Sequence, residues 1–305
     1  MKIVSLLPGA TEIVCALGLG DSLVAVTHEC DYPAVVRTKP LITRSTISNA
    51  MSSAEIDAAV RGQISAGKSL YTVDRDLFRA LQPDVVLTQR LCRVCAVDYD
   101  DVLAAARTLT PPGPQLVSLE PNTLADVLDT IHTVAEAVDE TEKADALCRE
   151  LRTRIEAVRT VTSQTAYRPR VAFLEWLDPL FGGGHWTPEI IEIAGGTDGL
   201  GHKHRASTLV DWTEVVAYAP EVLIVAPCGF PVERAWEEMP SLAARPGFSD
   251  LPAVQAGRVF VVNGSDYFSR PGPRLVDGLE LLAALLHPGQ SPPWTGPDTA
   301  LRRWP

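Results

Sequence analysis

The residues with the most chemistry to offer lie in two short stretches. "TQRLCRVCAVDYD", Thr88 to Asp100, places Cys92 and Cys95 in a C-x-x-C spacing, and "THECDYP" brings His28, Glu29 and Cys30 together. Soft thiolates with imidazole suit zinc, copper(I) or iron. The candidate metal ligands are therefore Cys92, Cys95, Cys30, His28 and, from a glycine-rich stretch further on, His185, with zinc or iron as the ion. A single C-x-x-C also admits a redox pair, or two cysteines that only pack in a helix. Thiolates at a helix start would be favoured by its dipole. "CRVC" lacks the aromatic-Cys-Gly surroundings of a thioredoxin site, so ligand contact and helix packing stay open as the two main readings.

These residues sit where strands are expected to end. "KIVSLL", "SLVAVT" (22–27), "PDVVL", "RVAFLEWL" (170–177), "EVLIV" and "GRVFVVNG" (257–264) are short, apolar and rich in β-branched residues. Such runs mark strands buried on both faces of a parallel sheet. "LFRALQPDVVLTQ" (77–89) is echoed by "EVVAYAPEVLIVAP" (214–227), each a short helix, a Pro-acid turn and a strand. At the start, a strand over Lys2–Leu6, a Pro-Gly turn and a helix through Leu17 are expected. In α/β sheets ligands gather beyond the carboxyl ends of the strands. Loops rich in Cys, His, Trp, Tyr and Arg follow these strands and can line one cleft.

Between the halves, residues 122–163 form two apolar stripes at helical spacing: Leu124, Val127, Leu128, Ile131, Val134 and Val138, then Leu147, Leu151, Ile155 and Val158. The second helix starts near Thr141, and its roughly 22 residues would span about 33 Å. The expected fold is α/β: two Rossmann-like lobes, 1–140 and 164–305, joined by a rigid backbone helix, 141–163, with a ligand cleft between them. The Pro-rich tail is expected to be extended, packing by its tryptophans or fraying.

Composition narrows the function. The chain has 305 residues and a net charge of −11, with no basic block. That argues against nucleic acid and anionic membranes as partners. No apolar run approaches the roughly 20 residues of a membrane span. The opening residues do not read as a secretory signal, because Pro8, Gly9 and Glu12 interrupt them. A cytoplasmic protein is the expectation, or a periplasmic or extracellular one if a leader was removed. Six cysteines in this length do not suggest a disulfide scaffold, and Cys15 and Cys148 read as core. No G-x-G-x-x-G, P-loop or G-x-S-x-G occurs, and "GGTDGLGHKHR", with His202 and His204, reads as a surface loop. Binding is expected rather than catalysis.

The segments "SLLPGATEIVCALGLGDSLVAVTHECDYP", "LQPDVVLTQRLCRVCAV", "FLEWLDPLFGGGHWTPEIIEIAGG", "APEVLIVAPCGF" and "YFSRPGPRLVDGLELLAALLHP" together resemble the helical-backbone class of ABC-transporter substrate-binding proteins. Within it they resemble the vitamin-B12- and siderophore-binding branch. The resemblance spans nearly the whole chain. It implies capture of cobalamin or a related metal-macrocycle by aromatic side chains and few polar contacts. The matching positions are Pro8, Gly9, Tyr71, Gln89, Trp176, His185, Trp186, Tyr267 and Phe268, with Arg270 as a fork for a ligand carboxylate or phosphate. Gly182–Gly184 free the backbone to bring His185 close to a ligand, and imidazole suits cobalt or iron as an axial donor. The family also implies an acidic residue on each lobe that docks on an ABC permease. Glu214 lies near the expected place; the N-terminal half offers Cys95, Asp98 and Asp100 but no clear glutamate. The two rival readings are a metal-dependent enzyme on the same scaffold, using the Cys and His ligands, and a siderophore or haem receptor.

Overall fold

The structure, a computed structural model, describes residues 1–48, 50–90 and 97–305. The first half contributes β1 (Ile3–Ser5), β2 (Leu23–Val26), β3 (Thr43–Ser45), β4 (Tyr71–Val73), β5 (Val85–Thr88) and β6 (Gln115–Ser118). Four of these form a parallel sheet in the order β2-β1-β5-β6, with Val4 opposite Val86 and Leu87 opposite Val117. β1 and β5 are buried along their whole length, which is why their sequences run apolar without alternation. β3 and β4 pair only with each other, antiparallel, and the helix Ser53–Ser65 lies between them in the chain.

The second half contributes β7 (Arg170–Leu177), β8 (Leu180–Gly182), β9 (Thr197–Asp198), β10 (Val222–Val225), β11 (Val259–Val262) and β12 (Leu301–Arg303). The sheet runs β12-β11-β10-β7-β8, with β9 beside β7. β7, β10 and β11 are parallel, and β8 and β12 are antiparallel edges. The fold is thus α/β with two lobes, as the sequence predicts, with three local differences.

Pro8 does not make a turn but occupies the first turn of the helix Pro8–Ala16, where its missing N–H and fixed φ are no handicap. "EWLDPLF" is a hairpin, not a loop, so Trp176 lies opposite Phe181. The tail neither frays nor hangs free: Leu301–Arg303 pairs with β11, and the Trp304 ring packs 4.9 Å from that of Trp236.

The helices Leu124–Ala137 and Thr141–Ser163 cover the junction of the lobes. Thr123 and Asp126 form a capping box at the start of the first. The second has 23 residues and buries Ala144, Cys148, Leu151, Ile155, Val158 and Thr162. All but Thr162 join one continuous apolar cluster with Ile3, Ile13 and Leu128 from the first half and Val171, Ile190 and Leu282 from the second. The connecting helix is therefore a core element shared by both lobes, not a strut between two finished domains. Among the described residues no helix is long and apolar enough to cross a membrane.

A shared core makes a specific demand on unfolding. Leu151→Ala leaves a cavity at the junction and is expected to lower stability by about 2–5 kcal/mol. Both lobes should then unfold in one transition, with urea curves followed by far-UV circular dichroism and by tryptophan fluorescence superimposing. A first step that releases only part of the helical signal would show separately cored lobes.

Candidate functional site

Loops from the carboxyl ends of the strands meet between the lobes, and one meeting point is a buried ion cluster. Glu12, in the first helix, is only 4% exposed. Arg274 donates to both its carboxylate oxygens, at 3.0 and 2.6 Å. Arg270 Nη1 lies 3.7 Å from Glu12 and pairs with Asp31, while Nη2 donates to the Glu29 carbonyl at 3.0 Å. The Arg274 guanidinium also lies 4.1 Å from the centre of the Tyr32 ring. Burial pushes the Glu12 carboxyl up against the pull of Arg274 and Arg270. For Arg274, burial would lower the value, but the bond to Glu12 and the nearby Asp266 and Asp31 outweigh it, so the guanidinium stays charged.

The backbone allows this only through Gly9, where a Cβ would sit 2.3 Å from the Pro271 carbonyl oxygen. These contacts correct part of the sequence reading. Gly9 is buried under the Pro271 backbone, with Pro8 beside it half-buried. Arg270 does form a fork, but with Asp31 and Glu29 of this chain, so it is not open to a ligand anion.

The second meeting point is the glycine-rich turn before the helix Thr187–Ile193. A Cβ on Gly184 would lie 2.2 Å from the Ser207 nitrogen, so the glycine serves close backbone packing. Glu175 Oε1 accepts from the Gly184 N–H and from the Thr187 hydroxyl, both at 2.9 Å. His185 is held with φ of +50°, its carbonyl accepting from the His204 N–H at 3.0 Å. His185 Nδ1 is 3.3 Å from the Asn122 Oδ1 of the opposite lobe, and the ring stacks on Trp186. Burial lowers the His185 pKa, so its imidazole is neutral at pH 7. Burial also pushes the Glu175 carboxyl up, to about 7, against the donors that hold it. His202 and His204 lie in the loop that pairs with this turn.

Three expected cleft aromatics are core side chains instead. Trp186 is 5% exposed and its Nε1 donates to the Phe268 carbonyl at 2.8 Å. Phe268 is 3% exposed and packs edge-on against Phe173. Tyr267 is buried edge-on against Trp294. Trp176 is half-buried at the end of β7, 5.1 Å from Phe230, and its Nε1 donates to the carbonyls of Ser53 and Asp178, both at 3.2 Å. Tyr71 is half-buried beside His28, with ring centres 5.6 Å apart, and Gln89 is buried at the end of the β5 region.

Two of the described candidates for a resident metal, Cys30 and His28, have other partners. Cys30 is buried, with Sγ 3.1 Å from the Thr11 hydroxyl and 3.3 Å from that of Thr27. Burial raises its thiol, so it is no ready thiolate donor. His28 Nδ1 pairs with the Thr43 hydroxyl at 2.8 Å, and Nε2 is 3.4 Å from Glu29. Among the described residues no three His, Cys, Asp or Glu side chains converge on a metal position. Cys92 and Cys95 lie outside the described residues. Glu214 is exposed and caps its own helix by accepting the Asp211 N–H at 2.8 Å. Sequence reasoning missed Asn122, Glu175 and Ser53. For Glu175 a signal existed, a lone acid inside the apolar run "VAFLEWL".

Comparison with known proteins adds the following. A family model described as periplasmic binding protein matches residues 3–265. The vitamin B12-binding protein of Vibrio cholerae is 25% identical over 292 residues, covering 93% of this chain and 88% of that protein. The ABC transporter substrate-binding lipoprotein YvrC of Bacillus subtilis is 25% identical over 295 residues, covering 94% and 80%. The crystal structure of a periplasmic heme-binding protein from Pseudomonas aeruginosa shares the fold, with a TM-score of 0.74, 18% identity and coverage of 99% and 97%.

Two outcomes follow from this geometry. Arg274→Ala strands Glu12 in the junction and is expected to cost about 3–5 kcal/mol, with a Glu12→Gln/Arg274→Met double variant recovering part of that loss in urea denaturation. For Glu175, the folded protein keeps a proton that the unfolded chain releases near its ordinary value of 4.5. The stability this adds is present below pH 4.5 and is lost as pH rises through about 7. Wild type should therefore lose stability relative to Glu175→Gln across that window, and a pH-independent difference would show a carboxyl that is not desolvated.

Proposed function

Since this chain belongs to the periplasmic binding protein family, we propose that it captures a corrinoid or a related metal chelate between its lobes and delivers it to an ABC permease, without chemistry of its own. The observation that carries this reading is His185, a neutral imidazole at the lobe junction, held by a left-handed turn and by Asn122 from the other lobe. With Nδ1–H donating to the Asn122 amide oxygen, Nε2 keeps the lone pair that cobalt or iron can accept. Trp176 and Tyr71, both half-buried, supply flat apolar surface for a macrocycle. Haem and siderophore complexes share that chemistry and are the alternative cargoes. Glu214 is the exposed acid proposed to dock on the permease.

The relatives support this direction. One is named for vitamin B12 binding, one is a substrate-binding lipoprotein, and one neighbour in structure is a periplasmic heme-binding protein. Those names also favour the periplasmic or extracellular setting over the cytoplasmic one.

Cyanocobalamin, hemin and a ferric hydroxamate siderophore, each titrated into the full chain and followed by visible absorbance, test the reading. One of them should saturate at one equivalent. His185→Ala should weaken that binding by about tenfold or more and alter the absorbance band of the bound chelate. Failure of all three to bind would overturn the proposal.

A further inference from the structure

We propose that the helix Ser53–Ser65 is a strap across the mouth of the cleft, and that ligand passes in and out when the strap lifts rather than when the lobes rotate apart. The helix leaves the first lobe between β3 and β4, which pair with each other and not with the four-stranded sheet. Of its thirteen residues only Ser53 is buried. Ile56, Val60 and Ile64 recur on one face of the helix, but none is fully buried and Ile64 is 47% exposed, so packing holds it weakly and its end contacts carry more of the attachment.

Those end contacts are on the opposite lobe. The Ser53 N–H donates to Glu238 Oε1 at 2.8 Å, and the Ser53 hydroxyl bonds to the same carboxylate. A carboxylate at a helix start is further favoured by the helix dipole. Arg234 Nη2 bridges Glu238, at 2.7 Å, and the Met51 carbonyl, at 2.8 Å. The Trp176 indole N–H donates to the Ser53 carbonyl, and Ile56 packs on the apolar cluster of the second lobe. The dock therefore lies at the carboxyl end of β7 and beside Phe230, just past β10.

The lobes are joined differently at the two ends of the cleft. At the floor, separation would strand Glu12 and two guanidiniums that are all nearly buried, and would open the tight approach of Gly9 to Pro271. At the mouth, the dock depends on one carboxylate, one arginine, one indole and one isoleucine. Its release leaves the β3–β4 ribbon to hold the helix to its own lobe. The mouth is the weaker closure, so access runs through it. The identity of what passes beneath rests on the function proposed above; the strap itself is a property of the free protein.

Hydrogen exchange by mass spectrometry on the ligand-free full chain reads the strap directly. In Glu238→Ala and, independently, Arg234→Ala, peptides covering residues 53–65 should exchange about tenfold faster than in wild type, while peptides covering residues 141–163 keep their rate. Unchanged exchange in 53–65, or equal acceleration in both segments, would overturn the strap. Stopped-flow mixing with cyanocobalamin, hemin or the ferric hydroxamate, whichever binds, should show a higher association rate constant in both variants. An unchanged rate constant beside faster exchange would overturn the access route. If none of the three binds, the function proposed above fails while the exchange result still decides the strap.

Discussion

A carboxylate removed from water must be met by positive charge, and in this protein that requirement fixes how the two lobes face each other. Glu12 lies in the first helix of the chain, and both guanidiniums that answer it come from one loop of the other lobe, "SRPGPR". The loop can reach only because Gly9 has no side chain to collide with Pro271. Once that junction is set, the helix Thr141–Ser163 can pack against both halves at once, and one core replaces two. A buried pair of this kind adds little net stability, because desolvation offsets most of the attraction, but it tolerates few other arrangements. Its contribution here is geometric.

The same junction determines what the cleft can offer a ligand. Arg270 and Arg274, the two cations nearest it in sequence terms, are committed to Glu12, Asp31 and the Glu29 carbonyl. Among the described residues placed nearby are a half-buried neutral imidazole, an indole and a phenol ring, while Glu175, its carboxyl raised to about 7, is held by Gly184 and Thr187. A small anion would want a free guanidinium. The large, flat chelate proposed above would instead draw on apolar surface and one directed donor.

The sequence revealed what obeys a period and hid what does not. Strands β1, β5 and β10 were legible because burial on both faces leaves an unbroken apolar run, and the connecting helix because Leu147, Leu151, Ile155 and Val158 repeat at helical spacing. Orientation at a strand end follows no such period. "GHW" suggested a presented tryptophan, yet the indole N–H of Trp186 turns to the Phe268 carbonyl and only His185 remains half-buried. Arg270 was expected to grip a carboxylate or phosphate of a ligand; it holds instead Asp31, 239 residues distant and beyond any spacing rule. β12 escaped notice because three residues after a run of prolines are too few to show alternation.

The two halves share more than an echo in sequence. In one sheet β1 lies between β2 and β5; in the other β7 lies between β8 and β10. A helix with proline in its first turn follows each, Pro8–Ala16 after β1 and Thr187–Ile193 after β8. Each helix start touches the opposite lobe. The first brings Gly9 and Glu12 to Pro271 and Arg274; the second brings His185 to Asn122, and Glu189 to the Leu124 N–H at 3.0 Å. Equivalent places thus carry opposite chemistry. Buried charge at one makes a junction that cannot exchange partners with a ligand without a large desolvation cost. A neutral imidazole at the other loses little when its partner changes. On the function proposed above, the first junction is the fixed side of the repeated pair and the second is the side that can exchange a protein partner for a ligand.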